Sequence, residues 1–389
     1  MSQLIPGSEA LAGALEGRAI SREDALHILE GAGHDPRKLM SAARALRAEY
    51  HGRTVTFSKK AFVSLVNLCR DSCTYCTYQR EPGEAGASMM DKRAVGVLLD
   101  MAARFRCTEA LLVTGERPEE RYEEARRWLH AEGFASTAEY LVHCSEMALE
   151  RGLFPHTNAG NLSRSEMADL QKTNASMGLM LENASPRLSE RGMPHHLAPS
   201  KEPGKRMRVL ENAGELGIPV TTGLLVGMGE TPGELVDSLF AIQGLSGRHG
   251  NIQEVIIQNF RPKPDTMMGS SPPAGRSYLM AAAALARVLM PRMNIQVPPN
   301  LSPGSYSGLL DAGINDWGGI SPLTPDHVNP EHEWPAINEV EDETRAAGLR
   351  LACRFPVYPE FAGMVHPRVR EMMLQVSGPD GLVREGRWR

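Results

Sequence analysis

Ala61-Phe-Val-Ser-Leu-Val66-Asn-Leu-Cys69-Arg-Asp-Ser-Cys73-Thr-Tyr75-Cys76 joins an apolar strand run to three of the six cysteines in the chain. The spacing is Cys-x3-Cys-x2-Cys. Three thiolates can hold three irons of a cubane cluster and leave the fourth iron open to a small molecule, whereas four-cysteine clusters serve mainly electron transfer. The competing readings are a zinc knuckle and a redox pair at Cys73 and Cys76. Structural zinc needs four ligands, and no His or Cys follows Cys76 at finger spacing. A thioredoxin-like pair has no use for Cys69. Cys107, Cys144 and Cys353 are scattered and read as buried free thiols.

Working outward, the chain alternates strand and helix from about residue 58. Expected strands are Ala61–Val66, Ala110–Thr114, Phe154–Thr157, Ser176–Leu181, Pro219–Val226, Glu254–Asn259, Met293–Val297 and a weak one near Ile314–Trp317. Expected helices include Lys92–Arg106, Glu119–Glu132, Ser163–Lys172, Lys205–Leu216, Pro232–Leu245 and Tyr278–Leu289. This pattern predicts an α/β fold, a (β/α)8 TIM-type barrel over residues 53–320. An open doubly wound sheet is the alternative, but no Gly-x-Gly-x-x-Gly turn follows the first strand. Residues 1–52 read as a helical extension, with Ser21 to Asp24 resembling a capping box. Residues 321–389 read as an irregular C-terminal cap and tail, rich in Pro and acidic residues from Ser321 to Pro335.

Composition excludes some partners. With 42 Lys and Arg against 47 Asp and Glu the net charge is −5, which gives no surface for nucleic acid. No leader of basic start and apolar core is visible, and the most apolar helical stretch contains Arg287 and is too short to span a bilayer. We expect a cytoplasmic protein with no membrane partner.

In a barrel of this kind chemistry sits on loops after the strands. The cysteine loop follows the first strand, with Tyr75 placed before the third cysteine. Thr114-Gly115-Glu116 follows the second; a glycine permits close backbone approach and a carboxylate there can hold an ammonium. Asn158 ends the third strand. Glu182 ends the fourth and can accept two hydrogen bonds from a ribose diol, while Arg187 can pair with a carboxylate as a fork. Gly223, Leu225 and Gly227 mark the end of the fifth strand. Asn259, Arg261, Asn300 and Ser321 follow the later strands and are candidates for a polar heterocyclic substrate. Asp326 and His327 are candidate proton-transfer groups. His195-His196 reads as a solvated loop pair.

The cysteine spacing resembles the signature of the radical S-adenosyl-L-methionine (SAM) superfamily. The resemblance implies a [4Fe-4S] cluster on Cys69, Cys73 and Cys76 and SAM as co-substrate. Thr114-Gly115-Glu116 resembles that superfamily's Gly-Gly-Glu element for the methionine amino group, with Thr in the first place. Gly223 to Glu230 resembles its Gly-x-Ile-x-Gly-x-x-Glu element, with Leu225 in the Ile place, supporting adenine. Longer stretches, His156–Ser163, Met180–Leu188 and Gly318–Pro335, resemble one family within it, the 7,8-didemethyl-8-hydroxy-5-deazariboflavin synthases, the first subunit of FO synthase. That resemblance covers about residues 55–360.

It implies a carbon–nitrogen lyase that closes the ring of 5-amino-5-(4-hydroxybenzyl)-6-(D-ribitylimino)-5,6-dihydrouracil and releases ammonia, methionine and 5'-deoxyadenosine. It also implies a functional partner, FO synthase subunit 2, which supplies the substrate, and an electron donor such as ferredoxin or flavodoxin. With room for one barrel in 389 residues, the partner is expected as a separate protein. The alternatives are another radical SAM enzyme of the subgroup, such as the partner subunit or a menaquinone- or biotin-type enzyme, and an iron–sulfur electron carrier. A carrier has no need of the Thr114–Glu116 and Gly223–Glu230 elements.

Overall fold

The computed structural model describes residues 7–33 and 35–389. Eight parallel strands close into a barrel: β1 (Thr54–Val66), β2 (Glu109–Thr114), β3 (Phe154–Asn158), β4 (Ser176–Gly178), β5 (Val220–Val226), β6 (Ile252–Asn259), β7 (Asn294–Gln296) and β8 (Asp316–Ile320). Each pairs with its successor, and β1 pairs with both β2 and β8. The expected strands are all present. Helices cover the outside, among them Lys92–Arg104, Arg164–Gln171, Pro203–Glu215, Pro232–His249 and Arg276–Leu289. Their starts are written in the sequence: Ser163 with Glu166 and Thr231 with Glu234 form reciprocal capping boxes.

Three features depart from expectation. The helical region after β2 breaks at Tyr122 into Pro118–Arg121 and Glu123–Glu132, and a further helix, Thr137–Leu149, precedes β3. The fourth strand leaves its ladder after Gly178, and pairing with β5 resumes only at Glu182. A ninth strand, β9 (Arg350–Cys353), pairs with Thr54–Phe57 of β1. It takes the stretch of β1 edge below the start of β2, and the chain then turns under the barrel. The C-terminal segment is therefore part of the barrel floor, as well as a cap.

The N-terminal helices Ser8–Leu15, Arg22–Ala32 and Arg37–His51 bury Leu11, Ala25, Leu29, Leu39 and Leu46 in the same apolar core as the barrel's outer layer. The Ser21 side chain accepts from the Asp24 N–H at 3.0 Å, as the capping pattern predicted. His51, at the end of the third helix, accepts from the Arg287 guanidinium at 2.9 Å. Burial holds His51 down at about 3, so it is neutral in the fold. Unfolding restores its ordinary affinity for a proton. The unfolded state then binds more protons below about pH 6.5, and stability falls as pH drops through that value. A thermal melting series from pH 7.5 to 5.5 is expected to show this slope, and His51→Gln is expected to lessen it, the buried His156 and His195 supplying the rest.

Side chains alternate along the strands, and here the two faces differ in kind. Ala61, Val63, Leu65, Ala110, Leu112, Val255 and Ile257 point outward into the apolar layer under the helices. Lys60, Phe62, Glu109, Leu111, His156, Asn158, Thr221, Leu225, Glu254, Gln258 and Gln296 point inward and line one cavity of about 340 Å³. Barrels of this class usually fill their interior with branched apolar side chains. This interior is half polar and holds space.

Candidate active site at the barrel mouth

The three clustered cysteines stand together at the top of that cavity. Cys69, Cys73 and Cys76 all line it, and all six cysteines of the chain are unpaired. Burial pushes the Cys69 thiol up to about 12 and the Cys73 thiol higher still. Such thiols become thiolates only against strong positive charge, which bound iron supplies. The Glu116 N–H donates to Cys69 Sγ at 3.2 Å, the kind of bond that tunes a cluster sulfur. Among the described residues, no three His, Cys, Asp or Glu side chains converge as a single metal ion requires. A cubane asks for something else, because each cysteine binds a different iron. The donor set therefore fits a three-cysteine cluster.

Gly115 passes so close to the Leu68 carbonyl and Cys69 Cα that a side chain there would collide with backbone. This is why a glycine stands between Thr114 and Glu116. The Glu116 carboxylate is buried, accepts from the Asn161 N–H at 3.0 Å and lies 3.8 Å from Arg70. Gly160 (φ 72°) leaves room for that carboxylate, which a Cβ would strike. Thr114 Oγ1 is buried at the cavity wall without a hydrogen-bond partner among the described residues. Asn158 faces the cavity beside it.

Glu182 occupies the left-handed region at φ 64°, an unusual place for a residue with a side chain. Its backbone pairs with β5 on both sides, through Gly223 O and the Leu225 N–H at 3.0 Å each, which holds the strained turn in place. The carboxylate enters the cavity and pairs with Lys201, which keeps it ionised against the desolvation that opposes this. Lys201 and Arg206 line the same wall, and neither was apparent from sequence alone. They lie on an irregular stretch and the start of a helix, where no strand-end rule points.

The structure does not bring Arg187 to the cavity. It forks onto Glu234 at 2.7 Å twice and donates to Gly229 O at 2.8 Å, locking a surface turn. Two cations do line the cavity at the mouth: Lys201, paired with Glu182, and Arg206, which donates to Met180 O at 2.6 Å. Leu225 lines the cavity as expected. Gly223 and Gly227 act one step back: a side chain at the first would strike Ile256, and the second, at φ 88°, closes against Ala274. Tyr75 lines the cavity, edge-on to Phe260, and its hydroxyl meets His195 Nε2 at 3.0 Å. His195 is therefore no solvated loop residue. It is 3% exposed and burial holds it neutral, down at about 3.

Asn259, Arg261, Asn300 and Ser321 do not line the cavity either. On β6 the inward residues are Glu254, Ile256 and Gln258, so the next residue, Asn259, points away. Arg261 and Asn300 fasten the 321–334 segment over the mouth, while Asn259 ties down the loop after β7. Asn259 donates to Leu301 O at 3.0 Å, Arg261 to His332 at 3.2 Å and Asn300 to Asp326 at 2.9 Å. Ser321 closes a local turn with Thr324. Beyond Lys59 no strand pairing joins β1 to β8; the segment fills the gap, with the Phe62 N–H donating to Thr324. Asp326 lines the cavity but already accepts from Val328, Asn329 and Asn300. His327 lies outside it, edge-on to Phe62 at 5.1 Å between ring centres.

The Radical SAM superfamily model matches residues 63–242, from β1 into the helix after β5. The 7,8-didemethyl-8-hydroxy-5-deazariboflavin synthase of Methanopyrus kandleri is 44% identical over 333 residues, covering 85% of this chain and 100% of that protein. FO synthase of Streptomyces coelicolor is 45% identical, covering 97% of this chain and 45% of that protein. The chain thus spans a little under half the length of the FO synthases it matches. Among solved structures, methylornithine synthase (PylB) superposes with a TM-score of 0.69 at 19% identity, over 91% of this chain and 99% of that one. HydG, a maturase of the [FeFe]-hydrogenase, superposes with a TM-score of 0.73 at 16% identity, over 90% and 77%. At those identities the structural matches speak to the fold alone.

Proposed function

Because this chain belongs to the 7,8-didemethyl-8-hydroxy-5-deazariboflavin synthases of the radical SAM superfamily, whose cofactors are a [4Fe-4S] cluster and SAM, we propose that it performs the ring-closing half of FO synthesis. The substrate is 5-amino-5-(4-hydroxybenzyl)-6-(D-ribitylimino)-5,6-dihydrouracil. The products are the deazaflavin, ammonia, methionine and 5'-deoxyadenosine, which makes the enzyme an ammonia-releasing lyase. The observation that carries this reading is that the three-cysteine loop opens into a closed barrel whose interior is polar and large.

When bound, the reduced cluster and SAM together supply a 5'-deoxyadenosyl radical that takes a hydrogen atom from the substrate. The chain does the rest by placement. Cys69, Cys73 and Cys76 hold three irons. Glu116, beside Cys69, receives the methionine ammonium. Glu182 would receive the ribose hydroxyls, and Lys201 and Arg206, on the same cavity wall, would supply a cation to the methionine carboxylate. Leu225 supports the adenine. The strap over the mouth and the closed barrel wall keep water from the reacting carbon, which limits side reactions.

A charge-assisted hydrogen bond is worth about 1.5–3 kcal/mol, so Glu116→Ala and Glu182→Ala are each expected to weaken SAM about ten- to hundredfold. Gly160→Ala is expected to match Glu116→Ala, because its methyl group displaces the Glu116 carboxylate. Equilibrium dialysis of labelled SAM on the reconstituted protein measures all three. A Gly160→Ala protein that binds SAM normally would remove Glu116 from the site.

The partner is FO synthase subunit 2, which makes the substrate from tyrosine and the ribitylaminouracil, and the electron donor is a ferredoxin or flavodoxin. The half of the Streptomyces protein that this chain does not match leaves room for that partner activity. The test is anaerobic. Given SAM, a reductant, tyrosine and the ribitylaminouracil, the chain alone is expected to make no deazaflavin, and fluorescence is expected to appear once the partner's product is added. SAM cleavage without deazaflavin under those conditions would leave the radical chemistry and overturn the substrate.

A further inference from the structure

Below the mouth, the barrel interior holds polar groups for which the cofactor site has no use. Lys60, 8% exposed, lies on β1 with its side chain inside the barrel. Among the described residues its ammonium has no hydrogen bond and no ion pair. It sits over the Trp334 ring at 4.5 Å and the Phe62 ring at 5.6 Å. Gly319 makes room for it, since a Cβ there would collide with the end of the lysine chain. A cation taken out of water without a counter-charge is expensive to keep, and chains that keep one have a use for it. Burial accordingly pulls the Lys60 ammonium below its ordinary range, while Glu109 and Asp326 partly restore it.

His156 faces the same space. Its Nδ1 lies 2.7 Å from Ser176 Oγ, and the Ser176 hydroxyl donates to Pro356 O. One hydroxyl proton cannot serve both, so Nδ1 carries the ring proton and donates to Ser176. Nε2 is then an acceptor, turned to the open side where Gly178 has no side chain. Burial holds the ring neutral, down at about 4. The Gln258 and Gln296 amides also face the cavity, with no hydrogen-bond partner among the described residues. The other floor cation, Arg354, is spent on Asp316 and Glu254.

We propose that this lower chamber seats the ribityl chain of the substrate, with Lys60 as its donor anchor and His156 as its acceptor anchor. The proposal rests on the function given above for the identity of the polyol. The chemistry of the chamber is what selects it. Each hydroxyl of a polyol both donates and accepts, and the chamber offers a donor at Lys60, acceptors at His156 and Glu109, and both at the two glutamines. A phosphate ester would meet one free cation and the carboxylates of Glu109 and Glu254, a poor site for an anion. The substrate must therefore arrive with its polyol unphosphorylated, so a phosphate-ester hydrolysis is the class of reaction that has to precede it whenever the polyol is made as a phosphate. Trp334 and Phe62 wall the chamber with flat apolar faces suited to the adjoining ring.

The experiment titrates reconstituted holoenzyme with the ribityl deazaflavin and with an analogue carrying methyl in place of ribityl, read by fluorescence polarisation. The wild-type protein is expected to prefer the ribityl compound about ten- to hundredfold, the scale of a charge-assisted hydrogen bond. Lys60→Met is expected to lose most of that preference and His156→Phe part of it, while SAM affinity stays unchanged in both. Lys60→Met removes an unpaired buried charge at nearly constant volume, so its melting temperature is expected to be no lower than that of the wild type. A ribityl preference that survives in Lys60→Met overturns the proposal, as does a parallel loss of SAM affinity. A wild-type protein that makes deazaflavin but binds both compounds alike overturns this seat and leaves the function standing. Failure to form or bind any deazaflavin overturns both.

Discussion

Replacing Cys69, Cys73 or Cys76 by alanine is expected to abolish the visible absorption of the reconstituted cluster and reductive SAM cleavage, each to background. Cys107→Ala, Cys144→Ala and Cys353→Ala are expected to keep both. The contrast follows from place rather than from thiol chemistry. All six sulfurs are unpaired, and burial raises Cys107 and Cys144 to about 12 much as it raises Cys69. Only the first three open onto the cavity. The other three sit in the apolar layer, where Cys107 meets Lys60 O at 3.5 Å and Cys353 meets Thr108 at 3.8 Å. Their loss removes some packing, about 1 kcal/mol each. Iron content separates the outcomes before any turnover is measured. A Cys73→Ala protein with full iron and normal cleavage would sink the ligand assignment.

The barrel and its cysteine loop were legible in the sequence because both are local patterns. An apolar run followed by turn residues marks a strand and its end, and three cysteines within eight residues need no tertiary contact to be noticed. Glu116 and Glu182 were legible for the same reason, as carboxylates just past strand ends. What failed was facing. Asn259 and Gln258 are neighbours, both polar and both at the end of β6, and only the pleat decides which one enters the barrel. The apolar, two-sided character of barrel strands hides that parity. In β1 it was available: Ser58, Lys60, Phe62 and Ser64 share one face, and a lysine within an otherwise buried run is a signal of a polar interior. Lys201, His195 and Trp334 come from irregular segments whose course depends on what they pack against, and Arg206 from the first turn of the helix Pro203–Glu215 that follows one of them. Arg187 misleads because a cation near a candidate carboxylate reads as a cofactor ligand, whereas Glu234, in the first turn of the helix after β5, claims it.

Arg354→Met is expected to destabilise the protein by about 3–5 kcal/mol, the penalty for leaving buried charge unpaired. Nothing in its sequence context, Leu351-Ala-Cys-Arg354-Phe-Pro, announces this. The residue follows β9, enters the barrel from below, and is 4% exposed. Its guanidinium donates to Asp316 at 2.7 and 3.1 Å and to Glu254 at 2.9 Å, and its plane lies 4.5 Å from the Tyr358 ring centre. Burial pushes the Glu254 carboxyl up and Arg354 pulls it back. Tyr358 and Thr221 donate to the same carboxylate at 2.7 and 3.0 Å. The methionine variant keeps the volume and removes the charge, so two carboxylates from β6 and β8, strands separated only by β7, are left side by side without a cation. Urea unfolding monitored by circular dichroism measures the loss. Adding Asp316→Asn and Glu254→Gln to Arg354→Met is expected to recover a large part of it, because the neutral amides need no counter-charge. Recovery would identify charge imbalance as the cause, while a triple variant no more stable than the single one would mean that Arg354 acts by shape, as a plug. Either way the segment after residue 350 belongs to the barrel, since without it the polar chamber has no floor.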